Sequence, residues 1–301
     1  MSRFQGDSGL TVRMTSVMFL LGALFVGLIV ALMFVLPPQW APIIAVIGLG
    51  LAWWQWFSSD TLAMRAMRAR EVSAEEAPEL HAMIDRLCTL ADMPKPRVGI
   101  ADTDMPNAFA TGRSPKRSVV VVTTGIMQRL SAEELEGVIA HELSHVAHRD
   151  VLVMTVASSA GILAGMLSRG SQYGAYAGGG RRDSNGPPVW LVVLLVSLAV
   201  YAVSWLLLRM LSRYRELAAD RAGAQLTMKP GALASALQKI TGEISAIPSG
   251  DLRSSQAMNA FFIAPAISGQ SLRTLTSTHP SLEQRLEQLA RIEAELGRPT
   301  Q

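Results

Sequence analysis

A mostly α-helical membrane protein with a small β-sheet is the fold class that this sequence predicts. Three observations carry the prediction. Half of the 301 residues are hydrophobic and 17% are charged, with a mean hydropathy of +0.28. That balance is too apolar for an ordinary soluble chain. Four apolar runs of membrane-helix character stand in the sequence. Between the second and third lies a polar stretch where short β-type segments sit among capped helical ones. The length suits one or two domains. The patterning divides the chain into an N-terminal transmembrane hairpin (1–70), a polar part (71–150), a second membrane hairpin (151–211) and a helical C-terminal part (212–301).

The first run, Met14 to Leu36, has no charge and follows Arg3 and Arg13. It is long enough to cross a bilayer, and its length sets it apart from a signal peptide. Pro37-Pro38-Gln39-Trp40-Ala41-Pro42 breaks it. The second run, Ile43 to Phe57, ends in Trp53, Trp54, Trp56 and Phe57, aromatics suited to the membrane interface. Arg65, Arg68 and Arg70 follow. Basic residues before the first run and after the second put both ends in the cytoplasm.

In the polar part, Ser73-Ala74-Glu75-Glu76 is a capping-box pattern that opens a helix toward Leu90, which Pro94 and Pro96 end. Arg97 to Ala101, Ala108 to Thr111 and Ser118 to Thr124 read as short strands. Ser131-Ala132-Glu133-Glu134 is a second capping box and starts the next helix. The third run is Val151 to Leu167 and the fourth Val189 to Leu211. An outer loop, 168–188, rich in Gly, Tyr and Ser, joins them. Ser158, Ser159, Gly161 and Gly165 suit close helix packing in a membrane. Arg169, Arg181 and Arg182 in the loop leave a second arrangement open, a hairpin that dips into the bilayer without crossing. Beyond Tyr214 the chain reads as helical.

Several classes drop out. The single cysteine, Cys88, rules out an internal disulfide and a Cys-rich metal site, and its place beside Leu87 and Leu90 is that of a core residue. No repeat is present. A net charge of +3 without a basic patch interleaved with aromatics gives nucleic-acid binding no support.

The chemistry concentrates at His141-Glu142-Leu143-Ser144-His145. Two histidines four residues apart share one helix face and can hold one zinc ion, and Glu142 lies beside them as a general base. A catalytic zinc takes three protein ligands and keeps one open position. His148 shares the face but lies roughly 10 Å along the axis from His141, so it suits a supporting place. Glu216 is the better third ligand. Asp220, four residues on, is placed to accept a hydrogen bond from the far nitrogen of a ligand histidine. His145 precedes the third run by six residues and Glu216 follows the fourth by five, roughly 9 and 7.5 Å of helix. An antiparallel hairpin would bring the two to the same height.

These motifs resemble the HtpX family of membrane zinc metalloproteases, in a group that includes the CaaX prenyl proteases and the Oma-type proteases. The likeness lies in His141 to His145 with His148-Arg149-Asp150, in Arg215-Glu216 with Asp220, in Pro106-Asn107-Ala108-Phe109-Ala110-Thr111-Gly112, and in Thr278-His279-Pro280-Ser281-Leu282 with Arg285. It implies a gluzincin-like metallopeptidase domain and one Zn2+ per chain. It implies a multi-pass protein of the bacterial inner membrane whose cytoplasm-facing site hydrolyses damaged or misfolded membrane proteins. Asn107, Ala108, Phe109 and Ala110 would lie on the strand that pairs with extended substrate. His279 would stabilise the tetrahedral oxyanion, and Arg285 would tie helices together. Two rival functions stand beside it: a non-catalytic, zinc-stabilised membrane chaperone or scaffold, and a prenyl-protein processing protease. The segment 250–276 matches no assignable element.

Overall fold

A computed structural model describes residues 8–35, 40–154, 189–246 and 279–297, with a few positions between 161 and 169. The expected outer loop, apart from 168 and 169, and the segment 250–276 lie outside the described residues. The chain forms two compact units.

The apolar unit comprises Thr11–Phe57 and Val153–Leu211. It holds α1 (Ser8–Val35), α2 (Trp40–Phe57) and the first part of α7 (Val189–Thr227). Leu28, Leu32, Ala164, Val193 and Val200 form its buried centre. The outward side is apolar as well: Phe34 is 87% exposed and Phe19 74%, as expected of helices that face lipid rather than water. A Cβ on Gly161 would lie 3.3 Å from Cβ of Ser204, the close approach that small residues permit. Four apolar runs were expected to act as membrane helices. Among the described residues two helices, α1 and α7, are long and apolar enough to cross. The second run forms an 18-residue helix, roughly 27 Å at helical rise and short of a 30 Å hydrocarbon core. The third run is described only in part.

The polar unit contains Ser58–Leu152 and Ser212–Gln301, with Met1–Leu10. Its sheet is built from β1 (Ala69–Glu71), β2 (Arg97–Ala101), β3 (Ala108–Ser114) and β4 (Arg117–Thr123), in the order β1-β2-β4-β3. β2 and β4 are parallel, and the other pairs are antiparallel. The run Val119–Val122 is fully buried, as befits a central strand covered on both faces. Val120 and Val122 face the main core with Ala108. Val119 and Val121 face a second cluster with Phe109, covered by Ala63, Met64 and Met67 from α3 (Ser59–Ala66) and the turn after it. The register shift near the end of β3 needs glycine at 112. Its φ is 146°, and a Cβ there would fall 2.3 Å from the Arg117 carbonyl oxygen.

Two expectations change here. β1 was not expected; Ala69–Glu71 pairs with Ala101–Gly99. The expected hairpin boundary at residue 70 therefore falls inside the sheet, and the polar unit begins at Ser58. The Ser73–Glu76 capping box forms, with the Ser73 N–H donating to Glu76 Oε2 at 2.9 Å and the Glu76 N–H to Ser73 Oγ at 3.4 Å. It closes a turn and does not open the helix. That helix, α4, runs Pro78–Ala91. Proline's fixed φ and missing N–H make it a natural first residue.

After α5 (Thr124–Arg129), α6 runs Ala132–Ala147 and opens on the expected box of Ser131 with Glu134. α8 (Pro230–Ala246) and α9 (Leu282–Leu296) are the unit's remaining helices among the described residues. A Cβ on Gly137 of α6 would meet the Leu233 backbone of α8 at 3.3 Å, so these helices pack closely. Glu134 fastens them further. Its carboxylate accepts from the Ser131 N–H, Ser235 Oγ and Lys239 Nζ at 2.8, 2.6 and 2.8 Å.

Candidate metal centre

α6 carries its chemistry on a buried face. Val138, Ile139 and Leu143 are fully buried in the core, and this fixes the rotation of the helix. His141 and Glu142 are also buried, and His145 is half-buried. α7 lies across α6. A Cβ on Gly223 would come 2.9 Å from the His141 nitrogen and 3.1 Å from its Cα. Only glycine permits that approach, and it brings Glu216 and Asp220 of α7 against the two histidines.

The three expected ligands converge. The Nε2 atoms of His141 and His145 are 3.2 Å apart. Each lies 3.6 Å from a different oxygen of Glu216. Tetrahedral zinc with bonds of about 2.0–2.1 Å sets its donor atoms roughly 3.3–3.4 Å apart. The far nitrogens face carboxylates: His141 Nδ1 lies 2.9 Å from Asp220 Oδ1, and His145 Nδ1 pairs with Asp150 Oδ2 at 2.5 Å. With each Nδ1 toward a carboxylate, both Nε2 atoms turn to one point, facing Glu216. Glu216 Oε2 is buried with no donor aligned on it.

The electrostatics call for positive charge at that point. Four carboxylates, Glu142, Asp150, Glu216 and Asp220, surround the site, against two guanidiniums, Arg215 and Arg285. Burial pushes the His141 imidazole down, but the facing Asp220 and Glu216 carboxylates outweigh it and lift it to about 10. Burial likewise works to raise Glu216, yet His279 and His141 hold its carboxyl well below the ordinary range. Glu142 differs. There burial dominates, and its carboxyl stands above the usual glutamate value despite His141 and His145. This donor set fits a metal ion.

The other expected residues fall as follows. His279, buried just ahead of α9, brings Nδ1 to 3.2 Å from Glu216 Oε2. Arg285, on α9, grips Asp220 through Nε and Nη2 at 2.7 and 2.6 Å. His148 caps α6, its Nδ1 lying 2.8 Å from the Ser144 carbonyl oxygen. β3 is one of the two edge strands of the sheet among the described residues. Asn107 precedes it, and both its main-chain groups are engaged by Thr123: its N–H donates to Thr123 Oγ1, and its oxygen accepts from the Thr123 N–H. Phe109 packs in the cluster under α3. Strand alternation turns the main-chain groups of Ala108 and Ala110 away from β4. The Ala110 N–H donates to Glu142 Oε2 at 2.9 Å.

Two contributors had no role assigned from the sequence, although Asp150 stands in the His148-Arg149-Asp150 motif. Asp150 partners His145, and Gly223 sets the helix approach. Each left a signal: a carboxylate five residues beyond a ligand histidine, and a lone glycine inside a helical pattern.

Comparisons with known proteins give the family. The model of peptidase family M48 matches residues 59–293. The chain is 56% identical over 297 residues to Protease HtpX homolog 1 of Streptomyces coelicolor, covering 98% of this chain and 97% of that protein. It is 50% identical to the Protease HtpX homolog of Moorella thermoacetica, covering 96% of each. The crystal structure of S. mikatae Ste24p superposes with a TM-score of 0.57 at 16% identity, over 93% of this chain and 65% of that one, a likeness of fold. With these matches, and with His141, His145 and Glu216 clustered beside Glu142, the chain belongs to peptidase family M48, as a metalloprotease of the HtpX group.

Proposed function

We propose that this chain is a zinc-dependent endopeptidase of the inner membrane that hydrolyses damaged or misfolded membrane proteins on the cytoplasmic side. The observation that carries the reading is the convergence of His141 Nε2, His145 Nε2 and the Glu216 carboxylate, with Glu142 adjacent. His141, His145 and Glu216 would hold the ion. Bound zinc would supply Lewis acidity, acidifying water and polarising the scissile carbonyl.

The chain's own groups supply the rest. Glu142 Oε2 is held by the Ala110 N–H, leaving Oε1 to take a proton from the attacking water and return it to the leaving amine. Asp220 orients His141, and Arg285 fixes Asp220. His279 brings Nδ1 to 3.2 Å from Glu216 Oε2, and its ring would donate to the developing oxyanion. The open edge of β3 at Ala108 receives extended substrate by main-chain pairing, which suits a protease of low sequence preference. The polar unit is the catalytic part, and the apolar runs hold it at the bilayer.

The test is cleavage of an unfolded membrane protein by the purified chain in detergent, with a prenylated peptide alongside. The expected result is cleavage of the unfolded protein, its loss on chelation and its return with zinc. Preference for the prenylated peptide would favour the processing role, and zinc uptake without cleavage of either substrate would favour the scaffold.

A further inference from the structure

We infer that Asp150, backed by Arg215, is a positioning residue that holds His145 toward the metal and ties it to the helix carrying Glu216. The inference rests on the metal reading of the site given above.

Three observations carry it. First, Asp150 is buried, and one oxygen, Oδ2, accepts from both His145 Nδ1, at 2.5 Å, and Arg215 Nη2, at 2.7 Å. Arg215 immediately precedes Glu216 on α7. One carboxylate thus links two candidate ligands on different helices. Second, the arrangement occurs twice. His141 faces Asp220, which Arg285 holds, and His145 faces Asp150, which Arg215 holds. In both, a guanidinium fixes a carboxylate and the carboxylate fixes a ring, leaving Nε2 toward Glu216. Carboxylates placed so orient imidazoles and raise their basicity as ligands.

Third, the backbone bends to make the contact. On an unbroken helix a residue five positions on lies about 140° round and roughly 7.5 Å along the axis, so Asp150 would point away from His145. α6 instead ends at Ala147, His148 caps it, and Arg149 takes a left-handed φ of 56° before the chain becomes helical again at Asp150. That region is sterically unfavourable for any residue with a side chain. The Arg149 side chain is exposed, so the conformation serves the chain's path. Its consequence is the return of Asp150 onto His145.

The test measures zinc affinity by chelator competition in detergent for the wild type, Asp150→Asn, Asp150→Ala and the double variant Asp150→Asn with Arg215→Met. Melting of each chain in excess chelator reports the fold without metal. The absorption spectrum of the cobalt-loaded chains reports ligand geometry independently of turnover. The expected loss of zinc affinity is about tenfold for Asn, which keeps an acceptor without the charge, and nearer a hundredfold for Ala. The cobalt spectra should change as well. The double variant removes the guanidinium left unpaired by Asp150→Asn, so its metal-free melting should return to the wild-type value while its zinc affinity stays low. Zinc affinity within twofold of wild type in Asp150→Ala would overturn the inference and leave the metal reading intact. Recovery of affinity in the double variant would also overturn it, because the loss would then come from the stranded arginine. A wild-type chain that takes up no zinc would overturn the metal reading and this inference together.

Discussion

Gly223→Ala perturbs the contact that brings the two ligand-bearing helices together. An added Cβ would lie 2.9 Å from the His141 nitrogen, 3.1 Å from His141 Cα and 3.3 Å from the Ala140 carbonyl carbon. All three are main-chain atoms, so no side-chain rotation relieves them. Ordinary contact needs about 3.5 Å, and α6 and α7 have to part by roughly half an ångström. The separations between Glu216 and the histidine Nε2 atoms, already 3.6 Å, would approach 4 Å, against roughly 3.3–3.4 Å for a tetrahedral ion. A 1 Å misplacement can cost a hundredfold in rate, so half of it should lower kcat/KM about tenfold and weaken zinc binding in parallel. Overpacking of about 1–3 kcal/mol should exceed the gain of roughly 1 kcal/mol from replacing a helical glycine. Gly242→Ala is the control: Gly242 is exposed on α8, and nothing lies within 4 Å of its added Cβ. The assay is kcat/KM on an unfolded membrane protein, with chelator competition for affinity. If Gly223→Ala keeps both within twofold of wild type, the helix approach does not set the ligand geometry.

Two further outcomes follow from particular contacts. Ala110→Pro removes a main-chain N–H whose acceptor is Glu142 Oε2. Proline is tolerated on an edge strand, so kcat should fall on the order of tenfold, the low end of what a general base contributes being larger still, while zinc content is unchanged. An unaltered kcat would mean that this N–H does not hold the base. At Glu134 burial acts to raise the carboxyl, but Lys239, Ser235 and the Ser131 N–H prevail and hold it at about 2, against an ordinary 4.5. A depressed folded value stabilises the protein above about pH 4.5, and that contribution is lost as pH falls toward 2. Lys239→Met should therefore lower Tm at neutral pH and flatten the acid limb of a Tm-against-pH curve. An unchanged limb would show that the pairing is absent in solution.

Much of the site was legible because helical spacing fixes a face. His141 and His145 stand at i and i+4, and Glu216 and Asp220 at the same interval, so spacing alone assigns each pair to one face. Strands β2 to β4 were legible as short segments set between turn residues, with a β-branched run only in β4. The misses have physical reasons. β1 is three residues long and carries no pattern of its own. The helix after Ser73 starts late because Pro78 offers a better first residue than the turn that the capping box closes. The contact of Asp150 with His145 was hidden by a left-handed Arg149, since helical spacing assumes that the helix continues. Asn107 lies beside the open edge, but Thr123 occupies its main chain. Which main-chain groups of a strand stay open depends on register, and register is fixed by pairing across the sheet. Gly223 could be seen as an anomaly in a helix, but what approaches it could not.

The most direct measurement of the central claim takes zinc content and turnover from one preparation of Glu142→Gln. Glu142 lies beside the proposed ligands without being one of them, so the variant should carry one zinc per chain, as the wild type does. Turnover of an unfolded membrane protein should fall by about a hundredfold or more, the range over which a general base acts. Full zinc with turnover at the wild-type rate would contradict the assignment of Glu142 as the base and leave the mechanism without its proton acceptor.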